Sequence, residues 1–234
     1  MPISTFKYEG RSVIYDKVKP ASKHQVCHKA AFIIINSRPY CNKISNLPPS
    51  LMEYAGSEIL NYQLDVIHAF CYDPEIIIVG GHKINKVLKF DRRSEYCIVE
   101  NVIYDVSNSA EDVRIGINAS LSPLVFFLRG EFVPSYFSFE KLYDAENSAT
   151  LYKEIKANGV GLIQDRLNNI RSFTFKSNKK FLGLTKLSKP DVARLKKKVC
   201  SSTCRKNMFD FELFEEFKLE AIEDTSKSFL NYDN

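Results

Sequence analysis

Tryptophan is absent, methionine occurs three times and glycine nine times in 234 residues. So few glycines leave little room for the glycine-rich loops that let a backbone close around phosphate. No apolar run approaches the ~20 residues that cross a bilayer. The longest, Ala30 to Ile35 and Leu124 to Leu128, fall far short, so no membrane partner is expected. The opening stretch, MPISTFKYEGRSVIYDK, lacks the apolar core of a signal peptide, which points to a cytoplasm. The apolar share of 44% and charged share of 26% are those of a soluble globular protein.

Six cysteines fit a reducing compartment. Cys71 and Cys97 lie in or beside apolar stretches, and Cys27 and Cys41 flank one, so they read as small core residues. His24, Cys27 and His28 cluster, as do Cys200 and Cys204, but neither group has a standard zinc-finger spacing. The net charge of +5 is mild and concentrated in ARLKKKVCSSTCRK, residues 193–206. A solvated helix face explains it better than a phosphate-binding patch, and without an aromatic-rich strand or recognition-helix pattern nucleic acid is not expected.

Along the chain, KAAFIIIN (29–36) reads as a strand covered on both faces, followed by a loop rich in Asn, Ser and Pro (36–50). SEILNYQLDVIHAF (57–70) has helical spacing, with Ser57 as its cap. EIIIV (75–79) is a buried strand that enters the Gly80-Gly81 turn and then a helix through Ile84, Val87 and Leu88. EYCIVENV (95–102) predicts a strand, residues 107–120 a helix capped by Ser107 or Ser109, and PLVFFLRGEF (123–132) a strand ending in glycine. This alternation predicts a mainly parallel, doubly wound α/β sheet. In the second half, residues 159–175 predict two strands around a polar turn, 179–188 a strand, 189–199 a helix opened by Pro190, and 207–224 a helix then a strand. Antiparallel strands appended to parallel ones make the sheet mixed, within one domain spanning 28–234 behind an N-terminal extension of 1–27.

The order of these strings resembles the nucleotidyltransferase family that activates sugar phosphates or phosphocholine, with its GT-A-like fold. PPSLMEYAGSEILNYQLDVI (48–67), EIIIVGGHKINKV (75–87) and SNSAEDVRIGINASLSPLVFFLRGEF (107–132) are similar to successive family segments. So are the hairpin at 159–175, FLGLTKLSKPDVARL (181–195) and the closing EAIEDTSKSFLNYDN (220–234). The resemblance implies Mg²⁺, here on Glu131 and Asp233, which stand where the family has two aspartates. It implies a nucleotide or sugar phosphate near Gly80, Gly81 and Asn108. It leaves Arg38 and Lys43 to supply charge to a triphosphate.

One segment departs from the family. After Ile35 the expected glycine-rich loop reads NSRPYCNKISN, without a single glycine. Side chains there block close backbone approach, and Pro39 removes one N–H donor. The family lysines fall on Pro49 or Ser50 and on Ser57. Glu131 carries an extra methylene that moves its carboxylate by about 1.5 Å, and octahedral Mg²⁺ tolerates such displacement poorly. The expectation is therefore a degenerate, non-catalytic binding or assembly subunit; the alternative is an active Mg²⁺-dependent nucleotidyltransferase. FVPSYFSFEKLY (132–143), with Phe132, Tyr136, Phe137, Phe139 and Tyr143, is a candidate partner surface, against the alternative of core packing. Abundant Asn, Ser, Lys, Phe and Tyr point to an AT-rich genome, as in many viruses, whose protein would sit in host cytoplasm.

Overall fold

The computed structural model describes residues 6–8, 11–13, 26–39, 47–155, 159–200 and 208–225. Two short strands, β1 (Phe6–Tyr8) and β2 (Arg11–Val13), pair antiparallel. The central strand β3 (Cys27–Asn36) is buried from Ala30 onward because both its faces are covered. That burial is why its sequence is a continuous apolar run rather than an alternating one.

After a 3-10 turn (Pro49–Leu51), a small hairpin of β4 (Glu53–Tyr54) and β5 (Ser57–Glu58) leads into α1 (Ile59–Phe70). Ser57 is therefore a strand residue and not the helix cap expected of it. The cap position falls to Glu58, and the Ser57 hydroxyl instead accepts a hydrogen bond from Asn61 Nδ2 at 2.9 Å. α1 buries Ile59, Leu60, Leu64, Ile67 and Phe70, and it places the polar Gln63 in the same stripe.

β6 (Cys71–Gly80) begins four residues earlier than the apolar run suggests and lies parallel to β3 along its length. The turn at Gly81, the short α2 (Ile84–Leu88), β7 (Cys97–Glu100), α3 (Ser109–Ala119) and β8 (Val125–Arg129) follow. Then come α4 (Tyr136–Asp144), β9 (Ala149–Glu154), the antiparallel hairpin of β10 (Gly161–Gln164) and β11 (Ile170–Thr174), and β12 (Lys179–Leu187). α5 (Lys189–Cys200), α6 (Asp210–Phe214) and β13 (Glu220–Glu223) close the described chain.

The main sheet runs β11-β10-β12-β8-β3-β6-β7, with β9 paired to β12 and to β13. Strands β7, β6, β3 and β8 are mutually parallel, whereas β12 is antiparallel to β8 and to β9. The sheet is mixed, as the sequence predicts. One apolar layer packs α3, α5 and α6 beneath it. The other packs α1 and α4 above it, around the rings of Phe32, Phe70, Phe126 and Phe139, whose centroids lie 5.1–6.4 Å apart. Offset and edge-on pairs at such distances stabilise a core beyond the area they bury.

The aromatic segment at 132–143 belongs largely to that upper layer. Phe132 and Phe139 are buried, Tyr136 and Tyr143 pack edge-on against Phe70, and Phe137 is 51% exposed. Cys27 and Cys71 are buried and reduced as expected, but Cys97 is exposed. No helix among the described residues is long and apolar enough to cross a membrane.

Candidate ligand crevice

From β3 the chain steps outward to β6 and β7, then returns to β8 on the opposite side of β3. The loops leaving β3 and β8 therefore diverge, and in parallel sheets a crevice opens at such a reversal, outside the carboxyl ends of the strands. Asn36, Ser37 and Arg38 come to it from β3, Gly80 and Gly81 from β6, Asn101 from β7, and Arg129, Gly130 and Glu131 from β8.

The glycine turn has a steric cause. A Cβ on Gly81 would lie 2.7 Å from the carbonyl oxygen of Ser37 and from the Tyr104 side chain, and one on Gly80 would meet Ile84 at 2.9 Å. The chain leaving β6 thus passes against the end of β3, and His82 N–H donates to Ser37 O at 2.7 Å. The His82 ring lies edge-on to Tyr104 at 6.2 Å.

Two buried carboxylates organise the floor. Asp112, in the first turn of α3 and 1% exposed, accepts from the Ser37 hydroxyl at 2.6 Å and from Asn101 Nδ2 at 2.7 Å. Asn101 is tied in turn to β6 through its N–H on Gly80 O at 2.7 Å. Burial raises Asp112 from an ordinary aspartate value to about 7, against the pull of Ser37, Asn101 and Arg38 and with help from Asp210.

Asp210, at the start of α6, holds Arg129 by two hydrogen bonds, at 2.7 and 3.2 Å, and accepts from the Ser109 hydroxyl at 2.8 Å. Burial alone would pull the guanidinium pKa down, but Asp210 and Glu131 more than offset it. The Arg129 guanidinium also stacks over Phe181 at 5.2 Å. Glu131 is half-buried; desolvation raises its pKa, Arg129 opposes that rise and Asp210 adds to it.

Of the candidate residues, the structure brings Arg38, Gly80, Gly81 and Glu131 to the carboxyl edge of the sheet, while Lys43 and Asp233 lie outside the described residues. Asn108 occupies the cap position of α3 without a side-chain capping bond. Neither expected serine caps that helix. Ser107 Oγ accepts from Asn101 Nδ2 at 3.1 Å, and Ser109 is engaged with Asp210. Asn36 Nδ2 and Arg38 Nε are buried and without a hydrogen-bond partner among the described residues.

Sequence reasoning missed Asp112, Asp210, Asn101, Arg129 and Gln63. Gln63 Nε2 donates to the carbonyls of Arg129, Gly130 and Phe132 at 3.1, 3.2 and 2.8 Å, and so fixes the turn that carries Glu131. A polar residue inside the apolar stripe of α1 was the available signal.

Of the two carboxylates expected to hold Mg²⁺, only Glu131 lies among the described residues. Among the described residues no three His, Cys, Asp or Glu side chains converge on one point. The carboxylate acting electrostatically on Glu131 is Asp210, whose oxygens are taken by Arg129 and Ser109. A guanidinium near Glu131 also repels a dication.

The chain has the nucleotidyltransferase-like α/β fold. It superimposes on the CTP:phosphocholine cytidylyltransferase LicC of Streptococcus pneumoniae with a TM-score of 0.66 at 13% identity, over 85% of this chain and 91% of that one. The inositol-1-phosphate CTP transferase of T. maritima gives a TM-score of 0.63 at 14% identity, over 86% and 87%. HddC from Yersinia pseudotuberculosis gives 0.59 at 13% identity, over 83% and 89%. No protein-family model matches the chain, and no curated protein matches it in sequence.

Proposed function

We propose that this protein is a nucleotidyltransferase-fold subunit that binds a nucleotide or sugar phosphate in its crevice without transferring it. The observation that carries this reading is the Arg129–Asp210 ion pair beside Glu131. It sets a fixed cation against the one described carboxylate that metal-dependent transfer would use for Mg²⁺. The glycine-free segment after β3 supports the same reading, because it offers side chains where transfer chemistry relies on backbone amides. Binding is supported by the buried donors Asn36 Nδ2 and Arg38 Nε, which have no partner among the described residues, since orphaned buried donors are costly unless a ligand or water meets them.

Calorimetric titration with nucleoside triphosphates, with and without Mg²⁺, tests this reading on the wild type and on Glu131→Ala. Binding that ignores both the metal and the substitution is the expected result. The competing reading, an Mg²⁺-dependent nucleotidyltransferase using Glu131 and Asp233, draws on the position of Glu131 at the end of β8. Micromolar, Mg²⁺-dependent binding that Glu131→Ala abolishes, or pyrophosphate release with a phosphate-monoester acceptor, would establish it instead.

A further inference from the structure

We propose that Cys27 and Cys71 form a reversible disulfide that staples the start of β3 to the start of β6 when hydrogen peroxide oxidises the protein. The proposal is independent of what the crevice binds.

The sheet sets the geometry. β3 and β6 are neighbouring parallel strands, and Cys27 and Cys71, the first residue of each, stand opposite one another in the register. Neighbouring strands lie about 4.8 Å apart, inside the span of roughly 4.4–6.8 Å that a disulfide bridges between Cα atoms. Both side chains enter the apolar layer of α1 and α4, so they project from the same face of the sheet. The following positions also join the two strand starts. The rings of His28 and Tyr72 lie 5.8 Å apart, and Lys29 Nζ meets Asp73 Oδ2 at 3.3 Å. Cys97, on β7, pairs with Ile77 and so stands well along β6 from Cys71.

The chemistry follows from this contact. Both thiols are free and buried, with 1% and 0% exposure. Val26, His28, Lys29, Tyr72 and Asp73 around them are exposed, so the pair lies directly beneath the surface at the strand ends. The Cys27 thiol donates to the Cys71 sulfur and holds the Cys71 pKa below its ordinary value, although burial works the other way. Cys71 is thereby the attacking thiol and Cys27 the resolving one. The Cys71 thiolate attacks a peroxide oxygen, the O–O bond breaks, and a sulfenic acid forms as hydroxide leaves. Cys27 then loses its proton to solvent and attacks the Cys71 sulfur, which breaks the S–O bond and forms S–S. Two thiols and one hydrogen peroxide give one disulfide and two waters, and the sulfurs supply the two electrons that reduce the peroxide.

The bond closes the chain from Cys27 to Cys71 into a covalent loop that holds the segment after β3, the β4–β5 hairpin and α1. Closing so long a loop removes freedom from the unfolded chain, so the oxidised protein resists denaturation more strongly.

The test uses the full chain, treated with hydrogen peroxide while folded, unfolded in excess iodoacetamide, and digested without reductant for mass spectrometry. The expected result is a linked peptide pair carrying Cys27 and Cys71. The urea midpoint should rise by on the order of 1 M, and dithiothreitol should reverse both changes. Cys71→Ala should abolish the link and the shift. Cys27→Ala should leave Cys71 at the sulfenic acid, which dimedone traps. The wild-type peptide map needs no variant and decides the matter should either variant fail to fold. Recovery of Cys27 and Cys71 as alkylated thiols, or linked only when peroxide is added to the unfolded chain, overturns the proposal. A link that leaves the urea midpoint where it was overturns it too.

Discussion

Arg129 and Asp210 sit 81 residues apart and meet through two hydrogen bonds, Nη2 to Oδ1 at 2.7 Å and Nε to Oδ2 at 3.2 Å. The pair joins the end of β8 to the start of α6. Asp210 is nearly inaccessible, with 2% of its side chain exposed, whereas Arg129 keeps 26%. The two single deletions should therefore differ. Arg129→Ala strands a buried carboxylate and should cost about 3–5 kcal/mol. Asp210→Ala leaves a cation that still reaches water and should cost less. The double variant should recover part of the loss, as a urea-denaturation double-mutant cycle would read. Equal costs for the two single variants would contradict the asymmetry in burial.

Gly183 on β12 makes room for that guanidinium arm. Its φ is +81°, and an added Cβ would lie 2.8 Å from Arg129 Cδ. Gly183→Ala meets both the left-handed backbone penalty and a clash with the side chain. A loss on the order of 1–3 kcal/mol is expected, measured as the drop in chemical-denaturation stability. Combining Gly183→Ala with Arg129→Ala should remove the steric part and leave the backbone part, so the two losses should sum to less than their separate values.

Gln63 should prove structural for the crevice although it lies on α1. Gln63→Leu keeps the apolar stripe continuous but leaves the Gly130 and Phe132 carbonyls without that donor, while the Arg129 carbonyl still accepts from Phe132 N–H. Leaving buried acceptors unmet costs about 1–3 kcal/mol. The turn that carries Glu131 should also loosen, which hydrogen exchange at the amides of Gly130 and Phe132 would register, since those amides donate to Ile35 and Arg129 carbonyls. Unchanged exchange there would show that the turn holds its shape without the amide.

These residues explain why the fold was easier to read than the site. The buried parallel strands announce themselves as apolar runs, and the β10–β11 hairpin as a polar turn between short strands, because those signals are local. β9 was missed because ATLYKE is short and mixes apolar with charged residues; only pairing with β12 and β13 makes it a strand. The site depends on contacts between distant positions. Asp112 reaches Ser37 across 75 residues and Asp210 reaches Ser109 across 101, and no spacing rule in a single chain links such pairs. The opposite error came from local reasoning carried too far. Ser57, Ser107 and Ser109 all suit helix caps by type, yet each is used elsewhere by tertiary structure.

The dependence of stability on pH takes its sign from Asp112. Its pKa is raised from 3.8 to about 7 by burial, so the folded protein binds its proton more tightly than the unfolded chain does. Between about pH 4 and pH 7 the unfolded state has released that proton while the native state still holds it. Stability therefore falls as pH rises through this window and levels off above it, where both states are ionised. Other groups titrate in the same interval, so the quantity to measure is the difference between wild type and Asp112→Asn. Urea unfolding at about pH 5, 6, 7 and 8 should show wild type losing ground to the variant as pH rises, by a few kcal/mol at most. Asparagine can still accept from Ser37 or Asn101, so much of the local hydrogen bonding survives in the variant. A difference that stays constant from pH 5 to pH 8 would mean that Asp112 is already ionised at about pH 5, and that the crevice floor is wetter than its burial implies.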